Sequence, residues 1–557
     1  MSVELHFDHH VSEAARGRSL FECGEAMGER IPSSCRKSGR CKECVVEVSE
    51  GMDRLSARGD EERHLKGEFR LSCRARIAAE DGVVRCHTLR RGRMAIERRA
   101  FQLPASGAEW TLDPAVTRVG DRVLLEGVEV GRSDVPVHGL AVDVGTTTVV
   151  LRLLNIETGE TVADSSFENP QRFGGSDVMS RIAYDTEDGT SLLRRTLIGY
   201  LNHAIEELPV DPGSIFEVVV AGNSTMRDLF FGLTVYPIGQ SPYQSVTETE
   251  LADGSRTSTS LSTPAEKLGL VVNPQARVYG LPLVAGHVGA DAAACMLAVD
   301  IPHEERHVAV MDIGTNTELV VGNCRKVLAA SCPAGPAFEG GQIRCGMPAL
   351  PGAIDKLSID DDGSVCVSVI GAEQAEGLCG SGLVDLLSEL LRTGRMNALG
   401  RFSGDAGDFV VQADEERPVV FTESDVNALA QAKGANVAGL QIAFQRYGIR
   451  FDDLDVLYLA GGFGRHLDVA SAKRIGLIPN IPDDRVVQIG NGSIEGATIA
   501  LLSKTKRREI ESFVRGVSHC RLETHPAFFD YFVEGCQFAP VEHCAGPTGG
   551  LPGKTHV

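Results

Sequence analysis

The sequence contains no uncharged apolar run near the ~18 residues that cross a bilayer. Its most apolar stretch, Tyr279 to Ile301, is interrupted by His287 and Asp291. A membrane partner is therefore not expected. The N-terminus, MSVELHFDHH, has no basic region followed by an apolar core, so no secretory signal is read there and a cytoplasmic protein is expected. Positive charge is in deficit, with 55 Lys+Arg against 76 Asp+Glu and a net charge of −21. That balance excludes a general nucleic-acid binder. What is present is ordinary globular composition: 557 residues, 43% hydrophobic and 24% charged. At about 150 residues per domain the length predicts three or four domains. Residues 1–100 carry 20 Lys+Arg and 17 Asp+Glu, whereas the rest carries 35 and 59, which points to two modules with different partners. Fifteen cysteines without a secretory signal argue for metal or thiol chemistry before disulfides.

Four of those cysteines form a pattern near the N-terminus. Cys35, Cys41, Cys44 and Cys73 are spaced C-x5-C-x2-C-x28-C, the first three inside the loop SSCRKSGRCKEC. Three thiolates in one loop plus a distant fourth is how plant-type ferredoxins hold a [2Fe–2S] cluster. The alternative is structural zinc, but zinc motifs usually pair two short knuckles and only one C-x2-C stands here. Cys23 and Cys86 fall outside the spacing and read as buried thiols. The opening VELHFDHHVSEAARGRSLFECGEAMG predicts strand, turn and then a helix from Ser19, the start of an α+β ferredoxin-like β-grasp domain over residues 1–94. Arg36, Lys37, Arg40, Lys42, Arg70, Arg74 and Arg76 form either a basic rim that steers an acidic electron partner or a merely solvated surface.

Residues 95–137, which hold the single tryptophan, Trp110, read as a linker with room for a small strand pair and a role in a homodimer. Beyond them the sequence repeats itself. LAVDVGTTT (140–148) and AVMDIGTNT (309–317) align at a constant offset of 169, pairing Asp143 with Asp312 and Gly145 with Gly314. VVVAGNST (218–225) matches LYLAGGFG (457–464), and VAGHVGADAAA (284–294) resembles VQIGNGSIEGATIA (487–500). Such repeats predict duplicated α/β halves, 138–305 and 306–545, facing each other across a cleft, with a flexible tail at 546–557. A D-x-G-T hairpin suits phosphate: glycine lets backbone approach, and N–H groups and threonine hydroxyls donate. The aspartate repels phosphate and so is assigned to Mg²⁺. AGGFG at 460–464 offers a flat surface for adenosine.

These motifs resemble the acetate/sugar kinase, Hsp70 and actin superfamily, whose ATPase domains are built from RNase H-like halves. The fuller set, from ENPQRFGGSDVMSRI (168–182) through AGPAFEGGQI (334–343) and GLCGSGLVD (377–385) to YLAGGFGRHLD (458–468), is similar to the reductive activators of corrinoid-dependent enzymes. The resemblance implies an electron passed from a [2Fe–2S] cluster on Cys35, Cys41, Cys44 and Cys73 to Co(II) of a corrinoid protein. This regenerates Co(I) for a methyltransferase or O-demethylase system, with ATP and Mg²⁺ driving the step. It implies a low-potential donor (ferredoxin, flavodoxin or reductase) that refills the cluster. It assigns Asp143, Gly145, Thr146 and Thr147 to one phosphate hairpin and Asp312, Gly314, Thr315 and Asn316 to the other, with Gly461 and Gly462 on adenosine. Asp312 is also read as catalytic, and Glu339 as the residue orienting water. Lys433 is read as reaching the nucleotide, the alternative being a solvent-facing lysine. Some relatives carry C-terminal [4Fe–4S] clusters; Cys520, Cys536 and Cys544 show no such ladder and read as structural thiols. Three rival functions stay open: a small-molecule kinase with a fused redox domain, an ATP-independent ferredoxin-type carrier, and a metal-sensing binding protein with zinc at the cysteines.

Overall fold

The computed structural model describes residues 2–35, 37–89, 111–372, 374–403, 407–413, 418–462 and 466–542. Arg36, Trp110, the first part of the expected linker, Phe463, Gly464, Cys544 and the expected tail lie outside them. In the N-terminal module, alternating apolar residues place Val3, Leu5 and Phe7 of β1 (Ser2–Phe7) on one buried face with Val84 and Cys86 of β5 (Val83–Thr88). With β2 (His10–Ala15), β3 (Val45–Glu50) and β4 (Phe69–Leu71) they form a sheet of order β2-β1-β5-β3-β4, in which β1 and β5 run parallel. The helix Leu20–Met27 starts at a capping box. Ser19 Oγ accepts from Glu22 N, and Glu22 accepts from Ser19 N at 2.9 Å. This is the ferredoxin β-grasp.

The stretch read as a linker carries more structure than a strand pair. β6 (Val116–Val119), β7 (Arg122–Leu125) and β8 (Val128–Arg132) make a three-stranded antiparallel sheet. Buried Val116 and Val123 join the apolar cluster of the following domain, and Glu126 pairs with Arg277 at 2.9 Å. Packing against a neighbour stabilises strands too short to stand alone.

The repeat in the sequence is a repeat in topology. The first half holds β9 (His138–Val144), β10 (Thr148–Asn155), β11 (Thr161–Glu168), β12 (Ile215–Gly222), β13 (Leu261–Pro264) and β14 (Arg277–Gly280), in the order β11-β10-β9-β12-β14-β13. The second half opens with β15 (Val308–Ile313), β16 (Thr317–Asn323) and β17 (Lys326–Cys332). It then inserts a small sheet, β18 (Ala353–Ile359), β19 (Val365–Val369) and β20 (Gly377–Leu378), and a hairpin, β21 (Asp408–Gln412) and β22 (Val419–Thr422). It closes with β23 (Val456–Ala460), β24 (Val486–Gly490) and β25 (Ser518–His519), giving β24-β23-β15-β16-β17-β25. In each half an antiparallel three-strand meander is followed by two strands parallel to its first, the arrangement of the actin-like superfamily.

Two helices seal the halves together. Ala290–Ala298 ends the first half and Gly492–Leu502 follows β24 of the second. They touch so closely that a Cβ on Gly496 would stand 1.9 Å from Ala294 O, which only glycine permits. The ferredoxin module is also docked: Leu5, Ile31 and Leu89 belong to one apolar cluster with Leu197, Tyr200 and Leu201 of the first half. No helix among the described residues is long and apolar enough to cross a membrane.

Candidate functional site

The cluster loop is shaped by its turns and its anchors. Lys37 and Lys42 adopt left-handed backbone, and Gly39 (φ +78°) leaves room for Arg74, whose Nε would lie 2.5 Å from a Cβ there. Ser72 ties the loop to the fourth cysteine by donating from N (2.8 Å) and Oγ (2.9 Å) to Cys44 O. The four thiols converge in two hydrogen-bonded pairs, Cys35 with Cys41 and Cys44 with Cys73. Burial raises the Cys35 thiol, but hydrogen bonds from Ser38 and Cys41 outweigh it and pull the thiol down to about 6. Cys41, Cys44 and Cys73 are buried and Cys35 is partly exposed. Four soft, converging thiols with one open corner fit an iron–sulfur cluster that exchanges electrons with a partner.

The basic rim read from the sequence is mostly cancelled. Arg70 is buried and paired with Glu62 at 2.8 Å; Lys37 pairs with Glu25, Arg74 with Glu61 (2.7 Å), Arg76 with Glu22 (3.9 Å) and Lys42 with Asp188 (3.6 Å). Of these, Arg40 alone is exposed without an ion pair among the described residues. Steering by a broad positive field is not what this loop offers.

The two D-x-G-T hairpins face each other across the cleft. Thr147 Oγ1 lies 3.0 Å from Thr315 Oγ1, and both hydroxyls donate to Glu339 Oε2, Thr147 at 3.0 Å. Asn223 donates to Thr146 Oγ1 at 2.9 Å, fixing the first hairpin. Each aspartate is held by the opposite half. Asp143 accepts from Asn491 Nδ2 (2.8 Å) and Ser493 Oγ (3.0 Å), whereas Asp312 accepts only from the Cys295 thiol, at 3.4 Å, among the described residues. Gly461 (φ +105°) abuts the second hairpin: a Cβ would lie 2.3 Å from Ile313 O. A Cβ on Gly462 would meet nothing within 4 Å, which leaves an open shelf beside the hairpin. Gly314 is likewise uncrowded, its nearest neighbours being Asn316 O at 3.4 Å and Glu339 Oε1 at 3.9 Å.

Sequence reasoning missed two carboxylates here. Asp291 and Glu318 join Asp143, Asp312 and Glu339 in one acidic group, in which Asp143 and Glu318 are buried and the other three partly exposed. Burial raises Asp312 to about 7 and Asp291 to about 8, and repulsion from the neighbouring carboxylates adds to both. Burial pushes Glu318 and Glu339 up as well. The available signal was Asp291 itself, the one acid in the alanine-rich run VGADAAA. Carboxylates that raise one another's pKa are hard oxygen donors of the kind a divalent cation relieves, although among the described residues no three of them bring ligand oxygens within 4.8 Å of one another. Lys433 is not solvent-facing: it is fully buried in the helix Glu423–Tyr447, its ammonium 5.7 Å from the Phe538 ring centroid and without a hydrogen-bond partner among the described residues. Burial lowers it to about 8.

Comparison with known proteins decides the family. Residues 306–545 match the model for the C-terminal domain of RACo, the ASKHA domain; residues 138–304 match the RACo middle region, and 8–78 the 2Fe-2S iron-sulfur cluster binding domain. The corrinoid activation enzyme RamQ of Eubacterium limosum is 30% identical over 92% of this chain and 95% of its own. The chain belongs to the family of corrinoid reductive activators. A second activator-type relative, the [Co(II) methylated amine-specific corrinoid protein] reductase of Methanosarcina barkeri, is 24% identical over 71% of this chain and 76% of its own. The solved structure of a reductive activator for corrinoid,iron-sulfur protein superposes with a TM-score of 0.71 at 27% identity, covering 97% of this chain and 98% of that one.

Proposed function

We propose that this activator restores a corrinoid protein by passing one electron to Co(II), giving Co(I), in a step driven by ATP. The observation that carries the reading is the pairing of a four-thiol loop with two opposed phosphate hairpins in one packed chain. A [2Fe–2S] cluster held by Cys35, Cys41, Cys44 and Cys73 supplies the one-electron carrier. Cys35, at the open corner, marks the edge from which electrons enter and leave, the donor being a low-potential ferredoxin, flavodoxin or reductase.

In the cleft, Thr147 and Thr315 donate to phosphate oxygens, and the backbone at Gly145 and Gly314 approaches them closely. Asp312, the less committed aspartate, holds Mg²⁺, and Asp143 fixes the second half against the first. Glu339 orients the attacking water. Gly461 and Gly462 bear the adenosine. Hydrolysis separates states in which the two halves grip differently, and a difference of a few kcal/mol between them covers an uphill gap of one or two hundred millivolts.

The test is anaerobic. A Co(II) corrinoid protein, a chemical reductant and the cluster-loaded chain should give Co(I) absorbance only when ATP and Mg²⁺ are added. An equal rate without ATP leaves a simple carrier, and phosphate appearing on a small molecule leaves a kinase.

A further inference from the structure

The first phosphate hairpin and the cluster loop are joined by one short run of chain. Asn169 donates from Nδ2 to Gly145 O at 2.8 Å and from its backbone N to Thr147 O at 2.6 Å. Three residues on, Arg172 pairs with Glu47, lies 3.3 Å from Glu168 and places its guanidinium 5.6 Å from the Phe69 ring centroid. Glu47 follows Cys44 by three residues, and Phe69 opens the strand that leads to Cys73. The run between them is stiff. Pro170–Gly174 is a single 3₁₀ turn capped by Asn169, whose Oδ1 accepts from Gln171 N at 2.9 Å. Gln171 Nε2 donates to Leu193 O at 3.2 Å. Two residues beyond Leu193, Arg195 donates to Cys41 O at 3.1 Å and pairs with Glu43 at 2.6 Å.

We infer that Asn169, Arg172 and Arg195 form a latch that ties docking of the cluster loop to occupancy of the first phosphate hairpin. This rests on the ATP reading above. Thr147 now spends its hydroxyl on Thr315 and Glu339, partners that a polyphosphate competes with. Phosphate taken up by Thr147 moves the carbonyl that holds Asn169, and the rigid turn carries the shift to Arg172. Among the described residues Arg172 Nε and Glu168 Oε2 are buried without hydrogen-bond partners, so opening the latch breaks few bonds. Closed, it covers the Cys41 side of the loop with Arg195; open, it frees that side for a redox partner. The two-state element is the docked ferredoxin module, and nucleotide is the ligand that biases it.

Amide hydrogen exchange on the cluster-loaded full chain tests this, with and without a non-hydrolysable ATP analogue and Mg²⁺. Protection of residues 143–149 and 312–318 reports nucleotide binding by itself. With that protection present, exchange over residues 41–47 should become about tenfold faster. In Arg172→Gln the same segment should exchange fast without nucleotide while the analogue still protects the hairpins; Arg195→Gln, which leaves Asn169 and its turn intact, should do the same. Protected hairpins with unchanged exchange at 41–47 overturn the latch, as do two variants indistinguishable from wild type. Unprotected hairpins overturn the ATP reading and the latch with it.

Discussion

The two D-x-G-T hairpins are near copies in sequence and unequal in surroundings. Asp143 accepts two hydrogen bonds from Asn491 and Ser493, groups of the opposite half that suit a carboxylate. Asp312, its counterpart 169 residues on, meets a weakly donating thiol on Cys295 and sits among other acids. Duplication supplied two equivalent turns, and the helices packed over them tied one carboxyl across the halves and left the other with a single weak donor. A buried carboxylate without good donors costs folding energy, and a site that needs a metal tolerates that cost.

The largest consequence is catalytic. Asp312→Asn should cut ATP-dependent Co(I) formation by about 10²–10⁴-fold while the visible spectrum of the cluster stays unchanged. A loss confined to Asp143→Asn would reverse the assignment of roles.

Stability should divide the pair in the other direction. Asp143→Asn should lower unfolding stability by about 1–3 kcal/mol, because amide donors then face Asn491 and Ser493. Asp312→Asn should raise the melting midpoint of the metal-free chain above pH 7 by a few degrees, as measured by calorimetry. The pH dependence follows from the same shift. The folded-state pKa of Asp312, about 7, lies above its ordinary value of 3.8, so the folded chain holds the proton more tightly than the unfolded chain does. Its penalty is absent at low pH, grows as pH rises between these values, and is complete above the folded value. Wild-type stability should therefore carry a downward slope over that window that Asp312→Asn reduces, the raised carboxyls of Asp291, Glu318 and Glu339 keeping the rest, and an unchanged slope would refute the shift.

The glycines beside the second hairpin sharpen the comparison further. Gly461→Ala should disrupt the hairpin, with a Cβ only 2.3 Å from Ile313 O at φ +105°, and should lower both stability and nucleotide affinity. Gly462→Ala has open space, so it should fold normally and weaken nucleotide binding several-fold in a titration with a fluorescent ATP analogue. The smallest effect belongs to the cluster rim. Arg40→Ala should slow partner reduction only slightly, and added salt should change the rate little, because the other described rim cations are already paired.

Much of this was readable from residue order. The cysteine spacing, the D-x-G-T repeat and the capping residue Ser19 are local signals, and local chemistry decides loops, turns and helix starts. What the sequence hid depends on contacts between distant segments. Arg70 looks like a surface cation beside a cluster, yet Glu62 draws it inside; Lys433 looks amphipathic on its helix, yet the C-terminal helix covers it. Residues 116–132 are short alternating runs whose sheet exists because the first half supplies a surface for Val116 and Val123. Glu318 stands opposite Asp312 across its own hairpin, whereas Asp291 reaches the site from the helix that ends the first half, and no spacing rule links it to residue 143.

The central claim, that cluster and cleft work as one machine, is tested most directly by counting. Co(I) formed and ATP hydrolysed should be measured together in the cluster-loaded chain and in Cys41→Ser. A fixed ratio of the two in wild type, with Co(I) formation abolished in the variant while it still hydrolyses ATP, is the predicted result. Co(I) formed without ATP consumption, or formed equally by Cys41→Ser, would contradict it.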